Sequence, residues 1–269
     1  MQRVEKVLVS RHSPFNHIIV TESESGLRTL RFGNSLTEAR QSVVKLGHPR
    51  HLELPYIRVL PNCLAFLRNL SRILIVGLGG GTLPGFFHSE FPGLAIDIVE
   101  IDPAVLEVAK TYFGFSEDAL MRVHVEDARD FIQRFSNRYD LIVLDGFGTE
   151  TIPPHLLTLE FLQEVRNALA PEGIAVANAW GRSVNRLYDH MLLTYREAFD
   201  DVYILDVPEP GTKIFVALQR KRAMSRVDLV QWAGEDSQRR GIRHDFIDSL
   251  AGFRNSDQET IRGGEVLRD

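Results

Sequence analysis

One cysteine, Cys63, is all that the 269 residues carry. An internal disulfide and a zinc site built from several thiolates are therefore both excluded. No apolar run approaches the roughly 18 to 20 residues that a membrane helix needs, and the opening stretch MQRVEKVLVSRHSP lacks the apolar block of a signal peptide. The expectation is a cytoplasmic protein with no membrane partner. Positive charge is also in short supply: 31 Lys and Arg against 36 Asp and Glu leave a formal charge of -5. Phosphate neutralisation needs clustered Lys and Arg, so no nucleic-acid partner is expected. The one basic run, Gln219 to Arg226 (QRKRAMSR), reads as a solvated linker at the end of a strand. The nine histidines are scattered; His48 and His51, flanking Pro49 and Arg50, read as loop or helix-edge residues, and no metal is expected. Internal repeats and low-complexity blocks are absent.

What remains is an ordinary globular composition, 44% hydrophobic and 25% charged, in a chain long enough to bury a full core. Residues 3–9, 17–22 and 27–32 are short, β-branched and broken by Ser, Pro and Gly, which predicts a small antiparallel meander. A short helix is expected over 36–46, and helical spacing returns after GHPRHLELPY. From residue 72 the rhythm becomes strand, loop, helix. The strands are expected at 72–78, 95–101, 122–127, 139–145, 173–180, 201–207 and 213–219, with helices at 103–112, 128–135, 158–170 and 184–198. Near-continuous apolar strands alternating with helices imply an α/β fold with a parallel sheet covered on both faces. Only the last two strands, joined by PEPGT without a helix, should pair antiparallel. Three regions follow: 1–66, a small N-terminal β domain plus connecting helix; 67–222, the α/β domain with the parallel sheet; 223–269, a helical, partly frayed extension in which Trp232 is an apolar anchor.

The sharpest local signal is ILIVGLGGGT, residues 73–82, a buried strand emptying into glycines before a helix. Glycine suits that turn because its φ values are unusual and a Cβ would block the backbone's approach to a ligand. Gly77, Gly79 and Gly81 are the candidate cradle. About 20 residues on, at the end of the next strand, Glu100 is placed to accept both ribose hydroxyls of a nucleoside, whereas Asp102, just before Pro103, fits the cap of the following helix. Thr82 replaces the third glycine of the dinucleotide fingerprint, which favours a mononucleoside over NAD. A third strand end brings Asp127 and Ala128, suited to an adenine amino group and ring, with a helix cap at Asp127 the compatible alternative. A fourth brings Asp145, in VLDGFGTETIPPH, either a catalytic acid or base or a polar strand terminator.

Gly77-x-Gly79-x-Gly81, Glu100, Asp127-Ala128 and Asp145 at successive strand ends resemble the spermidine synthase family and its methyltransferase-like relatives. SPFNHIIV and ARQSV extend the likeness, which covers about residues 10–220. It implies a class I S-adenosylmethionine-dependent methyltransferase (Rossmann-like) fold that binds S-adenosylmethionine or its decarboxylated form and passes an alkyl group to a small amine, with a homodimer permitted. On that resemblance Glu100 holds the ribose and Asp127 the adenine, Asp145 receives a proton from or orients the amine, Gln41 lies near the sulphonium, and Tyr56 lines the acceptor pocket. Trp180, after another strand end, fits a wall of that pocket or a core aromatic. A Pro-Pro loop after Asp145 suggests a gate, and His155 a packing or capping role.

The departures matter as well. Aminopropyl-transferring members of the family carry an aspartate where this chain has Gly80 and another where it has Gly148, and an Asp-Glu pair where HLELPY offers Glu53. Each of those acids would face a positive amine, and an unpaired buried ammonium costs several kcal/mol. Three readings stay open: an aminopropyltransferase, a methyltransferase using intact S-adenosylmethionine, and a nucleoside-binding protein without catalysis.

Overall fold

The computed structural model describes residues 5–146, 152–209, 211–225, 227–231, 234–235 and 253–269. In chain order the elements are β1 (Glu5–His12), β2 (His17–Ser23), β3 (Leu27–Phe32), β4 (Arg40–Lys45), α1 (Pro55–Val59), β5 (Arg72–Val76), α2 (Thr82–Glu90), β6 (Ala95–Glu100), α3 (Pro103–Tyr112), β7 (Met121–Val125) and α4 (Ala128–Ile132). There follow β8 (Tyr139–Leu144), α5 (Leu159–Ala168), β9 (Leu169–Asn178), α6 (Tyr188–Ala198), β10 (Asp201–Asp206), β11 (Lys213–Leu218) and β12 (Phe253–Asn255). None of the helices among the described residues is long and apolar enough to cross a membrane. Two compact units divide the chain: Met1–Leu54, Leu74–Phe131 and Asp145–Pro153 form the first; Pro55–Ile73, Ile132–Leu144 and Pro154–Asp269 form the second.

In the first unit β1 to β4 make an antiparallel sheet in sequence order. Its core comes from alternate residues of the inner strands, with Ile18 opposite Phe32 and Val20 opposite Leu30, and Ile18, Val20 and Leu30 fully buried. The helix expected over 36–46 is absent: Arg40–Lys45 is a strand paired with β3. Ser42 and Val43 are buried in that pairing, and a β-branched Val43-Val44 pair fits a pleated surface better than a helix. The same unit carries β5, β6 and β7 in that spatial order, β6 and β7 parallel. Ile73 to Val76 are all buried, the continuous pattern of a strand covered on both faces.

In the second unit the order is β8, β9, β11, β10, β12. β8 and β9 run parallel, and β10 and β11 pair antiparallel from Asp201 opposite Leu218 to Asp206 opposite Lys213, as a connection without a helix requires. Thr158 caps α5 by accepting from the Phe161 amide. The fraying expected of the last residues does not occur over 253–269: β12 pairs with β10, and the Leu159 amide donates to the Leu267 carbonyl at 2.8 Å. Backbone pairing and a Tyr203–Phe253 ring stack at 4.8 Å hold this polar segment where composition alone suggests solvent. Residues 227–231 are helical as expected, whereas Gly148, the first part of the Pro-Pro loop and Trp232 lie outside the described residues.

Candidate active site

The ligand-side strand ends of the first unit are stitched together by backbone hydrogen bonds. The Gly77 amide donates to the Val99 carbonyl at 2.8 Å, the Asp145 amide to the Val76 carbonyl at 3.0 Å, and the Glu126 amide to the Glu100 carbonyl at 3.2 Å. Glycine loop, ribose candidate, adenine candidate and Asp145 thus stand side by side along one edge. Gly77, Gly79 and Gly81 have φ of +97, +55 and +77, values that side chains resist. At Gly77 the demand is twofold, because an added Cβ would lie 2.6 Å from the Asp145 carbonyl oxygen. Only glycine lets the segment carrying Asp145 approach this closely.

Glu100 is half-buried at the end of β6, and both its oxygens are engaged. Oε2 accepts from the Leu78 amide of the glycine loop at 3.0 Å and Oε1 from the Asp102 amide at 2.9 Å. Each oxygen keeps a further lone pair, so the carboxylate can brace the loop and accept hydroxyls together. Burial pushes its carboxyl above the ordinary carboxylate range; the amides of Asp102 and Leu78 pull it down and the Asp102 charge pushes it up again. Asp102, fully buried, is the N-cap of α3 through Ala104 N at 2.9 Å, as its place before proline predicts. Asp127 likewise accepts from the Arg129 amide at 2.8 Å at the start of α4, and Ala128 beside it is buried. Asp127 Oδ1 thus caps α4 at the third strand end.

Gln41 is half-buried in β4. Leu30 pairs with Ser42 but Arg31 with Arg40, so Gln41 is the extra residue of a β-bulge, a device that re-aims a side chain. Its neighbour Ser42, which carries no motif signal of its own, walls the glycine loop: Ser42 Oγ lies 2.9 Å from Thr82 Oγ1. A Cβ at Gly80 would meet Phe113 Cδ1 at 2.9 Å and Ser42 Oγ at 3.0 Å, and one at Gly81 would meet Phe115 Cδ2 at 2.6 Å. The loop's own glycines hint at close packing in the sequence, but not at Phe113, Phe115 or Ser42 as the packers. Tyr56, half-buried in α1, and Trp180, half-buried after β9 with φ of +48, belong to the second unit. A left-handed cradle beside a carboxylate is a fit for an adenosyl group: backbone can approach the ligand, and the acceptor it needs is present.

Comparison with known proteins places the chain in one family. The spermine/spermidine synthase domain matches residues 56–224. The chain is 40% identical over 217 residues to the polyamine aminopropyltransferase of Vibrio vulnificus (strain CMCP6), covering 79% of this chain and 72% of that one. It is 34% identical over 189 residues to the eEF1A lysine and N-terminal methyltransferase of Bos taurus, covering 66% of this chain and 27% of the relative, so it spans about a quarter of that longer protein. Among solved structures, a probable spermidine synthase from Corynebacterium glutamicum superposes with a TM-score of 0.78 at 19% identity, over 97% of this chain and 96% of that one. Human methyltransferase-like protein 13 in complex with SAH gives 0.64 at 30% identity, over 74% and 98%. The architecture is that of a class I methyltransferase, Rossmann-like, with a small N-terminal β region.

Proposed function

Because this chain belongs to the spermine/spermidine synthase family and is, like its relatives, a transferase, we propose that it binds an S-adenosyl sulphonium donor and transfers an alkyl group, aminopropyl, to a small amine. The observation that carries the reading is the stitched edge on which Gly77, Glu100, Asp127 and Asp145 stand side by side. Glu100 holds the ribose, Asp127 and Ala128 the adenine, and Gly77, Gly79 and Gly81 form the cradle. Gln41 lies toward the sulphonium. The amine's lone pair attacks the carbon next to the positive sulphur. The carbon–sulphur bond breaks with its electron pair going to sulphur, and the displaced N–H proton passes to Asp145. A carboxylate there also orients the amine in line with the electrophilic carbon.

One observation favours a second reading, methyl transfer from intact S-adenosylmethionine. Aminopropyl-transferring relatives are expected to carry an acid at the position of Gly80, and here Phe113 and Ser42 fill the space such a side chain would start from. A donor tail that ends in a carboxylate needs no acid there; a bare ammonium does.

Calorimetric titration with S-adenosylmethionine, its decarboxylated form and methylthioadenosine separates these readings, followed by turnover with a diamine such as putrescine. Binding of the decarboxylated donor with aminopropyl transfer supports the first reading, and binding of the intact donor alone supports the second. Binding of none removes both. Asp145→Asn is expected to bind methylthioadenosine like the wild type while turnover drops by about a hundredfold or more; full turnover in that variant would remove Asp145 from the chemistry.

A further inference from the structure

The hairpin end that joins β1 to β2 reaches across the first unit to the nucleoside side of the site. His12 and His17, paired across the hairpin, stack with ring centroids 4.0 Å apart and planes 17° from parallel. Between them the Ser13 amide donates to the Asn16 carbonyl at 2.8 Å. The Ser13 hydroxyl accepts from the amides of Phe15 at 3.2 Å and Asn16 at 2.9 Å. Its one proton faces two acceptors, Asp102 Oδ2 at 2.5 Å and the Asn16 carbonyl at 3.1 Å, the carboxylate being the nearer, and Asn16 Nδ2 lies 3.4 Å from the same Asp102 oxygen. From the adjacent strand end, Arg11 donates to the Ala104 carbonyl at 3.0 Å and pairs with Glu107 at 3.0 Å.

A fully buried carboxylate such as Asp102 is held in place by its hydrogen bonds. One of its oxygens caps α3, the other is held by Ser13 and Asn16, and its amide is bonded to Glu100 Oε1 at 2.9 Å. Glu100 in turn holds the Leu78 amide of the glycine loop. The bonds form one series, Ser13 to Asp102 to Glu100 to Leu78, that joins an N-terminal turn to the cradle. None of these links is local in sequence except Asp102 to Glu100.

We infer that Ser13 and Asn16 are positioning residues for the adenosyl donor: the turn fixes Asp102, and Asp102 fixes the Glu100 carboxylate in the orientation that accepts the ribose hydroxyls. The inference rests on Glu100 being the ribose ligand. Asp102 touches no part of the donor in this account, and the turn acts only through it.

The test is a calorimetric double-mutant cycle with methylthioadenosine as the probe, on the full chain. Ser13→Ala is expected to weaken binding about three- to tenfold, the size of coupling carried through a hydrogen-bond network. Ser13→Thr, which keeps the hydroxyl, restores it. In a Glu100→Gln background, already weakened, Ser13→Ala costs nothing further. A folded Ser13→Ala with wild-type affinity, or an equal loss in the Glu100→Gln background, overturns the inference alone. Wild-type affinity in Glu100→Gln removes the ribose assignment and the inference with it. If Ser13→Ala does not fold, Asn16→Ala carries the same comparison, with the same outcomes read in the same way.

Discussion

At the scale of single residues, Glu100 illustrates how one carboxylate serves two purposes. Its charge is opposed by burial and by the neighbouring Asp102 and favoured by the amides of Asp102, Leu78 and Ile101, and the balance leaves its pKa above the ordinary 4.5. Between 4.5 and that raised value the folded chain holds a proton the unfolded chain has released, so this group's contribution to stability is present below 4.5 and is lost as pH rises through the folded pKa. Donor binding has the opposite slope, since the ionised form offers the acceptors that hydroxyls need. Affinity for methylthioadenosine is therefore expected to strengthen as pH rises across this window. Glu100→Gln should abolish the dependence. Calorimetry in a pH series checks it, and a flat profile in the wild type would mean that the ribose is held elsewhere.

At the scale of elements, the four-stranded sheet is pinned by a polar cluster on β1, β2 and β3. Arg31, nearly buried, donates to Glu5 Oε2 and Thr21 Oγ1, both at 2.9 Å, and Thr21 donates to Glu5 at 2.6 Å. Burial pushes the Glu5 carboxyl up, but the bonds from Thr21 and Arg31 outweigh it and leave it lowered. Because Glu5 is partly exposed, Glu5→Gln is expected to cost about 1 to 3 kcal/mol, less than breaking a fully buried pair. The stabilisation is present above 4.5 and lost as pH falls through the depressed pKa. Urea unfolding of both forms should therefore show a difference at neutral pH that shrinks in acid; a difference independent of pH would assign the loss to packing. The strands of this sheet could be read from alternation, but β4 could not. Its Ser-Val-Val core is short, and its strand character comes from the pairing with β3 that folding supplies.

At the scale of the whole molecule, the chain's end completes the second unit. Arg254 pairs with Asp206 and Glu259, both at 2.6 Å, Arg196 reaches Ser256 at 3.2 Å, and β12 covers the open side of β10. Deleting 253–269 is expected to lower the melting temperature by about 5 to 10 °C, as loss of a few kcal/mol does in a chain of this length. Exposing the β10 edge should also promote self-association. Calorimetry and light scattering check the two effects. An unchanged melting temperature would show that the unit is complete without its last strand.

By itself the sequence determined what depends on near neighbours. The apolar runs of β5, β6 and β8, the glycines of the cradle, the spacing to Glu100, and the caps at Asp102 and Asp127 are all set by backbone stereochemistry and side-chain period within a few residues. It also carried the likeness that identifies the family. The tertiary structure alone decided what surrounds these residues. Ser42 and Phe113 close on Gly80, Gln41 sits on a bulge that exists only opposite β3, and Ser13 meets an acid 89 residues away. Such contacts follow from how distant segments pack once their loops have closed, and no periodicity along the chain encodes which residue will arrive there.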